Sequence, residues 1–404
     1  MDSKRFKTSC PLAVGAFLII LLAWQVSAGP SWDFDIISDT ELDAIYADIS
    51  GDYVIYSGSI GDAIRQNSTR VIQLYSISSG EQVRIASSGP DSTLTGEDID
   101  GNYAVWFSEP QLEAPADIPN EIFLYSISEK NATVIRKSGS AEWPKISGES
   151  VIWSESVHDS FASSVMLYDI RTGNTTQIPT ISPIDAAGIA FDGDYILYTD
   201  ADTMNLLLYA TGTGDTTTVF ARKSDNNTTE NVFGTALGGD FALYRKNVLV
   251  EKPRELYSEL CLYTISTGET RLLSPITGKV TENLSESDKG ASFNSLAADK
   301  NRVAWEVAEG IADDRIVVLD PETMALSSIS PDTFVDFIHI DGDGIVWLGS
   351  SSLAGKGSIY LATEPVGQEP TPTAAPTVAP GFGWVIAIGS VVLSGILMCK
   401  KRSG

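Results

Sequence analysis

The sequence predicts an all-β chain folded as a seven-bladed β-propeller, and three observations lead there. A unit recurs along the chain, its strands are apolar and end in an aromatic, and no stretch between the two ends keeps a helical period. The unit opens on a small or acidic turn and enters a strand closed by an aromatic: Gly51 to Tyr56, Gly101 to Trp106 and Gly148 to Trp153. Four further copies end in Tyr198, Tyr244, Trp305 and Trp347, so the aromatics are spaced by 50, 47, 45, 46, 61 and 42 residues. A period of about 45 residues holding four short strands suits a propeller blade, whose sheet is buried on both faces by its neighbours. The shared register of the seven aromatics makes them blade-to-blade packing rather than sugar-stacking platforms.

Each copy has a second strand before a turn, as in Leu74-Tyr75-Ser76-Ile77, Leu124-Tyr125-Ser126-Ile127 and Leu262-Tyr263-Thr264-Ile265. Gly80, Gly173, Gly214 and Gly268 then let the chain reverse into a third. Asp33 to Ile37 precedes the first full copy, whereas the seventh copy stops after Ser358 to Thr363. The N-terminal segment is therefore expected to supply the outer strand of the last blade and remove the open edge. The copies resemble TolB-like propeller repeats from Ser31 to Thr363. Copy six departs most, with Lys300 at the place of the turn glycine and Met324 near that of the later one, so six and eight blades are the alternatives to seven. The resemblance implies a fold and no activity.

The ends of the chain predict export. Lys4, Arg5 and Lys7 precede an apolar run from Leu12 to Trp24 and the small-residue pattern Val26-Ser27-Ala28, which reads as a signal peptide over 1–28 rather than a retained anchor. Residues 31–363 form the propeller and 364–380 a Thr/Pro-rich stalk with nothing to bury. Gly383 to Cys399 carries no charge and is followed by Lys400, Lys401 and Arg402, the pattern of a transmembrane helix with a cytoplasmic basic tail. Spacer, then Pro380, Gly381 and Phe382, then helix and basic tail over 381–404, resembles the PGF-CTERM sorting signal of archaeal surface proteins. The resemblance implies a sorting transpeptidase that removes the helix and leaves a lipid anchor. Whether helix or lipid holds the chain, it is expected at the cell surface, anchored in the membrane at its C-terminus.

Composition narrows the partners. With 27 Lys and Arg against 53 Asp and Glu, the net charge of −26 opposes nucleic acid. Cys261 is the lone cysteine between the two terminal segments, so no disulfide forms within the folded part. Asn67, Asn131, Asn174, Asn226, Asn227 and Asn283 each head an acceptor triplet for glycosylation, marking the chain as a candidate glycoprotein.

Labelling the strands of a blade A to D outward, the A–B turns are short and uniform, and length varies in the B–C connections, from Ser57 to Arg70 or Arg245 to Glu259 down to Thr199 to Asn205, and in the D–A connections, of which Ser274 to Asn294 is longest. Those share one face, so binding is expected there. Its candidate contacts are Arg65, Gln66, Glu109, Glu113, Asp117, His158, Asp159, Lys246, Glu251, Lys252 and Arg254. Asp98 to Asn102 and Asp341 to Gly344 offer oxygen ligands for calcium, but the EF-hand spacing is absent and Asp-Gly is ordinary hairpin chemistry, so no cofactor is expected. His158 and His339 are the two histidines, and no nucleophile elbow or phosphate loop occurs, so an enzyme is not expected. The function read from sequence is a non-catalytic surface binding or structural protein whose loop face engages an envelope protein or glycan. The alternative is a polysaccharide hydrolase or lyase with carboxylates at the channel mouth.

Overall fold

The computed structural model describes residues 32–61, 68–89, 91–111, 118–156, 163–178, 188–252, 254–276, 295–308, 314–351 and 355–364. The signal-peptide, stalk and sorting-signal expectations lie outside them. Among the described residues no helix is long and apolar enough to cross a membrane.

The described residues form seven antiparallel sheets of four strands. Blade I is Asp43–Ser50, Tyr53–Ile60, Thr69–Ser76 and Gln82–Ser87, and blade II is Ser92–Asp100, Tyr103–Pro110, Asn120–Ser126 and Asn131–Ser138. Blade III is Ala141–Ser147, Ser150–Ser156, Ser163–Asp169 and Asn174–Ile178, followed in blade IV by Ala190–Phe191, Tyr195–Thr199, Leu206–Ala210 and Thr216–Phe220. Blade V has the longest strands, Thr228–Gly238, Phe241–Glu251 and Arg254–Thr264, with Glu269–Ile276 outermost. Blade VI is Leu296–Ala298, Val303–Ala308, Asp314–Leu319 and Leu326–Ile329. Blade VII takes Phe334–Asp341, Gly344–Ser350 and Ser358–Thr363 from the end of the chain and Asp33–Ile36 from its start.

The ring closes as the repeats predict. Asp33 pairs with Thr363, Phe34 with Ala362, Asp35 with Leu361 and Ile36 with Tyr360, and the Ile37 N–H donates to the Ile359 carbonyl at 2.9 Å. Trp32, absent from the sequence-level account, anchors this segment. It is buried against Ala297, Ile316 and Ile338, and Arg302 lies over its ring at 5.7 Å.

Seven apolar clusters account for the core, each shared by two successive blades. Every strand-B aromatic is buried in one of them: Tyr56, Trp106, Trp153, Tyr198, Tyr244, Trp305 and Trp347 are at most 6% exposed. Face-to-face burial explains why these strands read as continuous apolar runs. Copy six forms a complete blade, and Met324, at φ 58°, takes the left-handed turn position that glycine fills in blades I, III, IV and V.

One expected connection is strand rather than loop, and a second is shorter than expected. Arg245 to Glu259 was expected to link strands B and C of blade V, yet strand B continues to Glu251 and strand C begins at Arg254, with Glu251 opposite Arg254. The cause is strand chemistry within the segment: Val248, Leu249 and Val250 face Tyr257, Leu256 and Glu255, and Lys246 pairs with Glu259 across the ladder. Likewise strand B of blade I runs to Ile60 and strand C starts at Thr69, which shortens the expected Ser57 to Arg70 connection.

Candidate functional site

The seven A strands surround a central cavity of about 1070 Å³. Because alternate strand residues point the same way, each strand contributes three positions to its wall, in three layers along the axis. Nearest the D–A end are Tyr46, Gly96, Trp143, Gly188, Gly234, Ser295 and Phe337. Two residues on come Asp48, Asp98, Lys145, Ala190, Ala236, Ala297 and His339. The last layer, beside the A–B turns, holds Ser50, Asp100, Ser147, Asp192, Gly238, Asp299 and Asp341.

The first layer carries unusual backbone. A bulge interrupts the A–B pairing of blades II, III, V and VII at this level, and the residue there is left-handed: Gly96 at φ 67°, Trp143 at 53°, Gly234 at 75° and Phe337 at 47°. In blade II glycine is required, since a Cβ on Gly96 would meet the Phe107 ring at 2.8 Å. In blades III and VII large aromatics occupy the same conformation, which costs about 1–2 kcal/mol each for a residue with a Cβ. Trp143 is 36% exposed and Phe337 42%, although most large apolar side chains of the chain are buried. Trp143 meets the edge of Phe107 at 5.5 Å, and Phe337 meets Tyr46 at 5.6 Å. They stand on blades three steps apart around the ring, flanking the mouth.

The second layer is divided. Lys145, Asp98, Asp48 and His339 come from blades III, II, I and VII, four neighbours, whereas blades IV, V and VI contribute alanines. His339 Nδ1 lies 2.9 Å from Asp48 Oδ1, and Lys145 Nζ is 3.2 Å from Asp98 Oδ1. Backbone amides bind the same carboxyls: Ile49 N–H donates to Asp48 at 2.8 Å, Ile99 N–H of the next blade at 3.3 Å, and Ile146 N–H of blade III to Asp98 at 2.6 Å. Burial and the nearby Asp48 charge push the Asp98 carboxyl up against the pull of Lys145. Burial works to raise Asp48 as well, but His339, with the Asp98 hydrogen bond and Lys145, together offset it and hold that carboxyl below the ordinary range. Behind this layer Glu97, 1% exposed, stands where other blades carry mostly apolar residues, and its Oε1 has no hydrogen-bond partner. Burial raises its carboxyl too.

The third layer is an acidic ring. Asp341 accepts from Gly51 N–H at 2.6 Å and Asp100 from Gly148 N–H at 2.5 Å, each across a blade boundary. No group of three His, Cys, Asp or Glu suited to a metal occurs among the described residues. Asp299 binds its own turn through Oδ1, leaving Oδ2 buried and unpartnered. Burial, with the charge of Asp194, pushes Asp192 up to about 6 against the opposing Tyr195 N–H and Lys300.

That shift has a measurable sign. The folded chain keeps a proton on Asp192 that the unfolded chain releases from 3.8 upward, so this residue's contribution falls as pH rises from about 3.8 to 6 and is flat above. Asp192→Asn, which retains the Tyr195 bond, is expected to gain stability relative to wild type between pH 4.5 and pH 7. Urea midpoints of both proteins at the two pH values measure it.

Of the loop-face candidates, Lys246, Glu251, Lys252 and Arg254 fall on the projecting hairpin of blade V. Lys246 is engaged there by Glu259 at 2.6 Å and Glu230 at 3.5 Å, while Glu251, Lys252 and Arg254 are exposed. Glu109 is half-buried at the end of strand B of blade II. Arg65, Gln66, Glu113, Asp117, His158 and Asp159 lie outside the described residues. Asn131, Asn174, Asn226 and Asn227 are exposed, and Asn67 and Asn283 lie outside. Sequence reasoning placed carboxylates at the channel mouth in its alternative reading but did not assemble these residues into one site. Its signal was a polar residue three places before the turn glycine in Asp48-Ile49-Ser50-Gly51, Asp98-Ile99-Asp100-Gly101, Lys145-Ile146-Ser147-Gly148 and His339-Ile340-Asp341-Gly342.

No family model and no curated protein matches the chain. Among solved structures it is similar to the β-propeller domain of the Trilobed protease from Pyrococcus furiosus, with a TM-score of 0.56, 10% identity, and coverage of 84% of this chain and 100% of that one. An oligogalacturonate lyase from Vibrio parahaemolyticus gives 0.53, 11% identity, 83% and 98%. TolB from Acinetobacter baumannii gives 0.40, 14% identity, 65% and 60%. At these identities the first two likenesses establish the propeller fold alone, and the third adds nothing to them. The Pyrococcus domain is described as having an open velcro topology, whereas here Asp33–Ile36 closes the last blade.

Proposed function

We propose that the chain is a non-catalytic recognition module, held outside the cell on its stalk, which engages an envelope protein or glycan through the D–A and B–C face with the channel mouth at the centre. One observation carries this reading. Trp143 and Phe337 are held half-exposed at the mouth in a backbone conformation that favours glycine, and strain of this kind persists where a functional surface requires it. Exposed aromatics around a concavity are the side chains that anchor partners most strongly. The test is capture from solubilised envelopes. Wild-type protein retains a partner, Trp143→Gly and Phe337→Gly together lose it, and equal retention by both proteins overturns the reading.

A specific feature favours the second reading, a surface polysaccharide hydrolase or lyase. Asp48 and Asp98 are neighbouring carboxyls pushed in opposite directions, as an acid–base pair is. Weighing against it, all four oxygens are already engaged, by Ile49 N–H, Ile99 N–H, Ile146 N–H, His339 and Lys145. Release of reducing ends from envelope polysaccharide by wild type and not by Asp98→Asn would establish this reading instead.

A further inference from the structure

The recognition elements of the channel lie on one side of it. Tyr46, Trp143 and Phe337 of the first layer stand over Asp48, Lys145 and His339 of the second, two residues further along the same strands of blades I, III and VII. Across the channel, blades IV and V offer Gly188 and Gly234 in the first layer and Ala190 and Ala236 in the second, so that wall is bare. A Cβ on Gly234 would meet nothing closer than Leu296 at 3.7 Å. The mouth is thus a groove with one furnished wall and room in front of it.

The polar part of that wall presents its basic groups. The side chains of Lys145 and His339 are 25% and 26% exposed, whereas those of their partners Asp98 and Asp48 are 13% and 10% exposed. The carboxyls sit behind with their oxygens taken, and the ammonium and the imidazole face the space. Lys145 spends one of its three N–H bonds on Asp98 at 3.2 Å, and His339 meets Asp48 through Nδ1, so two ammonium hydrogens and Nε2 are left for a ligand.

A ligand that fits has an apolar face for the rings and, within two strand residues or about 7 Å, groups that accept from an ammonium and share a proton with an imidazole. Each basic group is already matched by a carboxyl, so the wall calls for no ionic partner. Asp100, Asp192, Asp299 and Asp341 one layer deeper, with the net charge of −26, turn anions away. A sugar ring has this make-up: C–H groups on its face, which the negative faces of aromatic rings attract, and hydroxyls around its edge. An apolar protein side chain would bury the two basic groups unpaired, a charged one meets a wall already compensated, and tyrosine brings a single hydroxyl.

We propose that the channel mouth binds a neutral glycan, whose sugar rings lie on Trp143 and Phe337 and whose hydroxyls reach Lys145 Nζ and His339 Nε2. The proposal rests on the channel mouth being the recognition site and chooses the glycan over the envelope protein as what is recognised there.

The experiment is binding of the purified full-length protein to envelope fragments, competed by an extract of the same envelopes. An exhaustive protease digest of the extract is expected to compete as the untreated extract does, and its neutral fraction after anion exchange to carry the competition. Periodate, which cleaves the vicinal diols of sugars, is expected to abolish it. Gly234→Phe, which puts on the bare wall the residue that blade VII carries at the same backbone position, is expected to weaken binding about tenfold or more, the equivalent of about 1.4 kcal/mol. Should that variant fold poorly, His339→Gln, whose amide still donates to Asp48, is expected to weaken binding about tenfold. Asp35→Asn on the outer rim leaves it unchanged. Competition that survives periodate and is lost on proteolysis overturns the glycan, as does competition confined to the anionic fraction or full binding by a folded Gly234→Phe. If binding then still depends on Trp143 and Phe337, the recognition reading stands with another partner; if it is independent of them, both fall.

Discussion

A chain lacking Trp32 to Ile37 is expected to lose its cooperative unfolding transition and to self-associate. The strand Asp33–Ile36 buries little by itself, since all four residues are exposed. Its ends are a different matter, with Trp32 7% and Ile37 9% exposed, each seated in a different inter-blade cluster. Truncating a buried Trp to Ala costs about 3–5 kcal/mol and a buried Ile about 2–5. Loss of both approaches the whole stability of a typical protein, about 5–15 kcal/mol. The segment is also bonded along the last blade, where Ile37 N–H donates to the Ile359 carbonyl at 2.9 Å. Without it the strand Ser358–Thr363 presents an unpaired edge, the usual template for association between chains. Denaturant titration and sedimentation of the truncated chain measure both effects. The point variant Trp32→Ala, expected to lower stability by about 3–5 kcal/mol, separates the anchor from the strand.

Replacing Trp143 and Phe337 together by glycine is expected to weaken partner capture about a hundredfold or more while the ring still folds. Two aromatic anchors at the centre of an interface are worth about 2–4 kcal/mol each. The folding cost is moderate because two effects oppose. Glycine relieves about 1–2 kcal/mol of left-handed strain per site, whereas the buried part of each ring, packed on Phe107 or Tyr46, is lost. The seven inter-blade clusters contain neither residue, so the propeller core is untouched. Binding and melting curves on the same preparation distinguish this outcome from simple unfolding.

The fold was legible because a blade core repeats a simple demand. Tyr56, Trp153 and Trp347 must fill the same wedge against the preceding blade, so the same residue class recurs at the same register. Closure by Asp33 to Ile37 was legible for the same reason, as a missing strand at one end matched a spare one at the other. The channel was not, because its residues share a position but not a chemistry: Asp48, Asp98, Lys145, Ala190, Ala236, Ala297 and His339 occupy one layer. Function breaks the repeat, and a search for likeness passes over it. Left-handed Trp143 and Phe337 were further hidden because nothing in their neighbouring sequence announces a bulge. The blade V hairpin was misread for the opposite reason, since the polar residues Lys246, Glu251 and Arg254 suggested a loop where cross-strand pairing makes strand.

The central claim is that contact on the D–A and B–C face is centred on the channel mouth, with the outlying blade V hairpin of that face left free. Hydroxyl-radical footprinting of the protein in intact envelopes and after purification tests it most directly. Trp143 and Phe337 are expected to be shielded in envelopes and to react once purified, with Leu249 and Tyr257 of the hairpin equally reactive in both. Shielding of Leu249 and Tyr257, with Trp143 and Phe337 reacting alike in the two states, would contradict the account.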